Sequence, residues 1–435
     1  METLLQEIKY DSLIEKDRAC IWHPFTQMKT AKAPISIVRA KGLYLYAEDG
    51  RSYMDGISSW WVNLHGHAHP YIVEKIASQA AQLEHVIFAD FTHAPAVELA
   101  SRLLPLLPGK MSKIFYSDNG STAVEVALKM ALQYWQNLNQ KTPKTKVICF
   151  KNSYHGDTFG AMSAAGKNEF NRPFWKHLFE VESIDPPLPG QESSSLAQLD
   201  SILEKGTSAC FIFEPLVLGS GGMVIYSAEG LNSLIKRCRQ HQVLTIADEV
   251  MTGFGRTGTL FAGEQIEEKP DLICLSKGLT GGFLALGVTA CTEQIYNAFL
   301  SDHKRQAFLH GHSYTGNPIA CSSGIASLDL LLKESCTHQR EMINRLHEEF
   351  CQKWQLHPKL KRCECLGTIL ALEYICETTS YFETMKDRLY SFFLSKGILL
   401  RPLGNVLYVL PPYCIQEDEL RFIYDQIEHT LEGSL

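Results

Sequence analysis

The sequence Leu272-Ile-Cys-Leu-Ser276 runs straight into Lys277, and Gly-Leu-Thr-Gly-Gly282 follows it. Lysine is rarely buried without a task. In a dry pocket its ammonium gives up a proton cheaply and the amine can form a Schiff base with an aldehyde, while nearby glycines admit a flat ligand close to the backbone. Alone, Lys277 reads more simply as a loop lysine. A second apolar run, Leu244-Thr-Ile-Ala247, ends in the acidic pair Asp248-Glu249, where a buried carboxylate must be paired or neutral. Ser117-Asp-Asn-Gly120-Ser121-Thr122 joins an apolar run to a helical pattern, and free amides at a helix start attract phosphate. Serine and threonine are equally common as plain helix caps. Tyr154-His-Gly-Asp157 offers an aromatic plate with hydrogen-bonding groups, and by itself reads as turn or site with equal weight.

Combined, the four segments supply an amine, an anion, a phosphate cup and a ring to stack on, which is the set pyridoxal phosphate needs. On that reading Asp248 keeps the cofactor's ring nitrogen protonated, and Lys277 moves the substrate Cα proton as base and then acid. Three other patterns compete. Gly253-Phe-Gly255-Arg-Thr-Gly258 fits the dinucleotide-binding spacing of an oxidoreductase, but it follows an acidic pair and no amphipathic helix comes next. His65-Gly-His67-Ala-His69 resembles metal ligands without cysteine or carboxylate partners at a suitable spacing, and Cys363-Glu-Cys365 is isolated, so no metal is expected. Arg401 closes the apolar run Ile398-Leu-Leu400; its forked guanidinium could clamp a carboxylate, and a surface ion pair is the plainer reading.

The elements that must position these residues follow from the apolar periodicity. Short runs at Lys113–Tyr116, Lys146–Phe150, Ala209–Phe213, Leu244–Ala247, Leu272–Leu275 and Leu286–Ala290 are apolar on both faces, as strands of a helix-covered parallel sheet must be. In such a sheet ligands sit at the carboxyl ends of the strands, where the four segments fall. Val124, Ala127, Leu128, Ala131, Leu132 and Trp135 recur on one helical face. Past residue 325, helices at Ser323–Leu332 and Gln339–Trp354 precede short strands near Thr368–Tyr374 and Val406–Leu410. The expected architecture is α/β: a large domain over residues 66–324 with a mostly parallel sheet covered by helices, and a smaller α+β domain over 325–435 joined by an N-terminal segment, 1–65. Leu188–Ser195, rich in Pro, Gly and Ser, is expected as a surface loop.

A chain of 435 residues with 45% hydrophobic and 20% charged residues is globular. Its formal charge of -7, without a basic run, argues against nucleic acid or an anionic membrane as partner. Thirteen cysteines, several inside apolar runs, suit reduced thiols, and the first residues lack the pattern of a signal peptide. With no window of about 20 apolar residues, a soluble cytoplasmic protein is expected.

Ala247-Asp-Glu-Val-Met-Thr-Gly-Phe-Gly-Arg-Thr-Gly258 and Ser276-Lys-Gly-Leu-Thr-Gly-Gly282 resemble the motifs of class III aminotransferases. Within that family Trp22-His-Pro-Phe-Thr26, Asp55-Gly-Ile-Ser-Ser-Trp-Trp61, Tyr154 to Ser163 and Arg401-Pro402 resemble the branch that acts in biotin synthesis. The resemblance spans about residues 20–415. It implies a fold type I homodimer that transfers amino groups between small molecules by a ping-pong mechanism. It implies Lys277 as the cofactor's lysine, Asp248 as partner of the ring nitrogen, Gly120 and Ser121 as phosphate cup, and Tyr154 stacked on the ring. His312 and Ser313 would reach the neighbouring subunit's phosphate, and Phe25, Trp60, Gly311 and Arg401 would bind substrate. Phe25 stands where adenosylmethionine-using members carry tyrosine, His312-Ser-Tyr314 where they carry Pro-Thr-Phe, and Leu403 where they carry phenylalanine. Those changes are similar to members that use lysine, which leaves S-adenosylmethionine and lysine both open as donor. A general ω-aminotransferase acting on diamines or amino acids is the alternative.

Overall fold

The computed structural model describes residues 12–138, 143–376 and 384–433. Three N-terminal strands, β1 (Ile37–Lys41), β2 (Tyr44–Ala47) and β3 (Ser52–Asp55), form an antiparallel meander. Next come β4 (Met111–Ser117), the helix α1 (Gly120–Asn137), β5 (Lys146–Phe150), β6 (Val181–Ile184), β7 (Ser208–Phe213), β8 (Leu244–Asp248), β9 (Leu272–Leu275) and β10 (Gly287–Thr292). They build one seven-stranded sheet in the order β4-β10-β9-β8-β7-β5-β6. Five of the six expected runs lie in strands that run the same way. The sixth, expected over Leu286–Ala290, is β10, and it pairs antiparallel with both β9 and β4. The sheet is therefore mixed, and β6 is a strand the sequence reading missed.

The interior of the sheet is dry. β7, β8 and β9 are buried along their whole length, as strands with both faces covered must be. Rings of Phe150 and Phe211 meet edge to face at 5.1 Å, and Phe211 and Phe213 lie 5.1 Å apart. Helix α1 covers one face with Val124, Ala127, Leu128, Ala131 and Trp135, as its periodicity predicts. Its start is fixed by a capping box: Thr122 N–H donates to Asn119 Oδ1 at 3.0 Å, and Asn119 N–H donates to Thr122 Oγ1 at 3.1 Å.

Beyond residue 317 the helices α2 (Pro318–Leu331) and α3 (Glu334–Trp354) follow, each starting about five residues earlier than the pattern suggested. The strands β11 (Leu360–Leu366) and β12 (Ile369–Tyr374) pair antiparallel; β13 (Ile398–Leu399), β14 (Val406–Val409) and the helix α4 (Glu417–Glu432) complete the chain. β11 was not foreseen. α3 lays Ile343, Leu346, Phe350 and Trp354 against this sheet. β13 pairs in parallel with β3, through Ile398 with Met54 and Leu399 with Asp55. This stitches the N-terminal meander to the C-terminal region and places Arg401 beside the chain that follows Asp55. The Leu188–Ser195 segment is only partly a loop, because a helix begins at Glu192. Among the described residues no helix is long and apolar enough to cross a membrane.

Phe211 is wholly buried between the two neighbouring rings, so Phe211→Ala should cost about 3–5 kcal/mol, read as a lower urea midpoint at unchanged slope.

Candidate active site

Parallel register aligns the strand ends. Phe213 lies opposite Ala247 and Cys274 opposite Asp248, so β5, β7, β8 and β9 finish along one edge. A cleft of about 700 Å³ opens there, lined by Gly120, Ser121, Tyr154, Asp248 and Lys277. All five residues assigned above to the lysine, the anion, the phosphate cup and the stacking ring meet in it.

Lys277 stands two residues past β9 with a left-handed backbone, φ 46°. Its Nζ lies 4.5 Å above the centre of the Trp61 ring. Desolvation pulls its pKa down to about 8, an effect that the charges of Asp248 and Glu214 oppose. Asp248 is buried with both oxygens engaged: Oδ2 accepts from His155 Nδ1 at 2.7 Å, and Oδ1 accepts from Val250 N–H at 3.1 Å. With Nδ1 donating, the other ring nitrogen of His155 is buried and has no partner among the described residues.

Glu214, which follows β7, belongs to the same wall and was missed in the sequence. Its oxygens accept from Tyr154 N–H at 3.0 Å and Gly219 N–H at 2.9 Å. Burial raises its pKa to about 7, against the pull of His155. The other half of the acidic pair, Glu249, points away from the cleft. It ties down the following loop by accepting from Ala262 N–H, Gly263 N–H and Thr252 Oγ1 at 2.7–3.0 Å.

The phosphate end is shaped by missing side chains. A Cβ on Gly156 would lie 2.0 Å from Ser121 Oγ at φ +129°, and one on Gly120 would lie 2.7 Å from Val250. Asn119 occupies the Thr122 amide, and the N–H groups of Gly120 and Ser121 have no acceptor among the described residues. They stand free at the positive end of an 18-residue helix. An amine, a fixed carboxylate, a ring and an anion cup on one cleft fit pyridoxal phosphate.

Trp60, Phe25 and Arg401 form a second group beside the cleft. The Arg401 guanidinium carbon lies 5.0 Å from the Trp60 ring centre, and Phe25 meets Trp60 edge-on at 5.5 Å. The tryptophans sit on a left-handed helical turn: Ser58, Ser59, Trp60 and Trp61 have φ of 52°, 46°, 71° and 73°. Such backbone costs roughly 1–2 kcal/mol per residue, so other contacts must hold it. Arg256 does so at one end. Fully buried, it donates to the carbonyls of Trp61, Asn63 and Pro411 at 2.9–3.4 Å. The GxGxxG-like segment is thus a bracket around an arginine, and no helix follows its last glycine. The three histidines of the 65–69 cluster do not converge: His65 pairs with Ser327 and His67 with Asp55.

Gly311, His312 and Ser313 line none of this cleft. Tyr314 N–H donates to His312 Nδ1 at 3.2 Å, which leaves the hydrogen on Nε2, and Nε2 has no partner among the described residues. Leu309 and Tyr314 beside it are exposed apolar residues.

Fold and cleft together define a pyridoxal-phosphate-dependent aminotransferase of fold type I. The family model for class III aminotransferases matches residues 26–431. An adenosylmethionine-8-amino-7-oxononanoate aminotransferase of Synechococcus elongatus is 49% identical over 420 residues, 95% of this chain and 98% of the relative. A relative of the same name from Geobacter sulfurreducens is 38% identical, covering 98% and 99%. Among solved structures, the enzyme of that name from Methanocaldococcus jannaschii superposes with a TM-score of 0.91 at 36% identity, covering 97% of this chain and 99% of its own. An ω-transaminase from Pseudomonas jessenii gives 0.90 at 25% identity, covering 97% and 98%. The chain belongs to the class III aminotransferases.

With Lys277 near 8, about a tenth of the amine is neutral at pH 7. The rate at which apoenzyme captures the cofactor, followed by its visible absorbance, should therefore rise with pH and level off above about 8. A midpoint near the ordinary lysine value of 10.5 would show that the pocket does not depress it.

Proposed function

We propose that this aminotransferase converts 8-amino-7-oxononanoate to 7,8-diaminononanoate in biotin synthesis, with S-adenosylmethionine or lysine as amino donor. The observation that carries the reading is the Trp60–Arg401–Phe25 cluster beside the cofactor cleft, in a chain whose likeness to an adenosylmethionine-8-amino-7-oxononanoate aminotransferase runs almost end to end. The bound cofactor supplies a ring that accepts the electron pair left behind when substrate loses its Cα proton. The protein does the rest. Lys277 would hold the cofactor through Nζ and, with substrate bound, would serve as the base for the substrate's Cα proton and then as the acid that returns it. Asp248, oriented by His155 and the Val250 amide, keeps a proton on the ring nitrogen. The Gly120 and Ser121 amides would hold the phosphate, Tyr154 would face the ring, and Glu214 lines the same cleft. Arg401 clamps the carboxylate of the keto substrate with Trp60 as its apolar wall and Phe25 at the rim. Donor and acceptor visit the same cleft in turn, which makes the kinetics ping-pong.

The active form is a homodimer on this reading. Trp22, Ile87, Phe91, Leu309 and Tyr314 are exposed apolar residues of the kind a subunit interface covers. Gly311, His312 and Ser313, outside their own cleft, reach that of the other subunit, where the His312 Nε2 hydrogen meets the phosphate. Residues 1–65 join a small domain of 325–435 around a cofactor domain of 66–324, in keeping with the β3–β13 pairing. Thirteen free thiols and the lack of a basic surface run suit a cytoplasmic enzyme. A general ω-aminotransferase is the second reading, favoured by the likeness to the Pseudomonas jessenii enzyme.

Mixing holoenzyme separately with S-adenosylmethionine, lysine and simple diamines, and watching the cofactor's visible band, decides between these. Bleaching by one of the first two, followed by recovery on adding 8-amino-7-oxononanoate, is the expected result; bleaching by diamines alone, without recovery, supports the second reading. Arg401→Ala should raise KM for the keto substrate about tenfold or more. Borohydride should fix the cofactor to Lys277, and Lys277→Ala should take no label.

A further inference from the structure

Asp55 ends β3 with no exposed surface, directly before the left-handed tryptophan turn. A buried carboxylate needs partners. Oδ1 accepts from Ile57 N–H at 3.3 Å, and Oδ2 accepts from both Ser59 Oγ at 2.7 Å and His67 Nε2 at 2.9 Å. The histidine's tautomer is set from its other side, because Asn63 Nδ2 donates to His67 Nδ1 at 3.2 Å. His67 itself cannot swing: its N–H donates to the Gly42 carbonyl at 2.8 Å and its carbonyl accepts from Gly42 N–H at 3.0 Å. Asn63 is held in turn, its Oδ1 accepting from Gly66 N–H at 2.8 Å.

A continuous chain of directed bonds thus runs from a fixed backbone through Asn63, His67 and Asp55 to Ser59. Ser59 is the residue before Trp60, and both are left-handed without being glycine. Arg256 and the Ser58 hydroxyl, which donates to the Leu410 carbonyl at 2.7 Å, grip the turn elsewhere. Among the described residues the Asp55 carboxylate is the group that the Ser59 hydroxyl bonds, and neither Asp55 nor His67 lines the cofactor cleft.

We propose that His67 and Asp55 are positioning residues for substrate selection. By holding Ser59 they fix the left-handed turn and so the place of the Trp60 ring against Arg401, which sets the fit of the acceptor without touching it. This rests on the assignment of Trp60 and Arg401 to the keto substrate. It also gives His67 and the Asp55–Trp61 motif a common role.

The test uses holoenzyme carrying His67→Ala or His67→Gln, each alone and combined with Trp60→Phe. Glutamine keeps an N–H able to reach Asp55; alanine does not. His67→Ala should raise the acceptor KM about tenfold, leave kcat within about threefold, and leave bleaching of the cofactor band by donor unchanged, with His67→Gln returning KM most of the way. In the double variant the KM effects should fail to add. Independently of any substrate, the change that His67→Ala makes in the near-ultraviolet circular dichroism should vanish in the Trp60→Phe background. Equal damage to both half-reactions, identical behaviour of the alanine and glutamine variants, or a dichroism change that persists without Trp60 overturns the proposal. A wild-type enzyme that fails to aminate 8-amino-7-oxononanoate sinks the proposed substrate instead, and the dichroism comparison still decides on the brace.

Discussion

Keeping the Lys277 amine dry in a cleft that it shares with two buried carboxylates, Asp248 and Glu214, is the constraint on which this structure turns. Desolvation makes the amine reactive, and the same desolvation works against every charge nearby. Asp248 is held by two directed bonds, one from His155 and one from the Val250 amide. Glu214 has only two neutral amides, and burial pushes it up to about 7. Those donors can be placed accurately only because the strands behind them are rigid. β7, β8 and β9 are buried throughout, and their register puts Glu214, Asp248 and Lys277 on one edge.

Backbone geometry is the second demand of the cleft. The phosphate end needs glycine at 120 and 156 for want of room, but the other wall uses left-handed residues with full side chains. Lys277 and the Ser58–Trp61 turn are strained, and glycine would remove the strain together with the function. The offset comes from interlocks with distant chain. Arg256, Ser58 and Asp55 tie the turn to residues 410, 411 and 67, so the tryptophans are held by the region around Arg401. The β3–β13 pairing closes the same loop through the backbone.

Much of this was legible in the sequence, for a physical reason. Strands buried on both faces must be apolar at every position, and polar residues just beyond them are conspicuous; Asp248 and Lys277 announce themselves that way. Glu214 follows the run ending at Phe213 in the same manner and could have been found by the same rule, but a single glutamate before proline looks like an ordinary strand end. The antiparallel β10 was not readable, because burial on both faces erases the alternation that separates the two directions. Short edge strands such as β6 and β11 carry mixed residues that read as loop. The tryptophan turn was invisible as a left-handed element, since no glycine marks it. His312 and Ser313 were expected at a neighbouring subunit's cofactor, and they line no part of their own cleft.

The division between the two groups of residues has a consequence for how specificity can change. The charges of Asp248 and Glu214 act on the Lys277 amine, and that of Asp248 acts on Glu214, so removing the Asp248 carboxylate would shift both of the others. Trp60, Phe25 and Arg401 are coupled to one another by stacking, and to the first group only through the adjacent Trp61, whose indole N–H is bonded to Tyr408 at 3.1 Å and whose ring lies beneath Lys277. On the proposed roles, substitutions at the wall would alter which substrate fits while leaving the amine and its carboxylate undisturbed. A fold built this way can exchange one donor or acceptor for another without rebuilding its chemistry, because the residues that choose and the residues that react are held by different contacts.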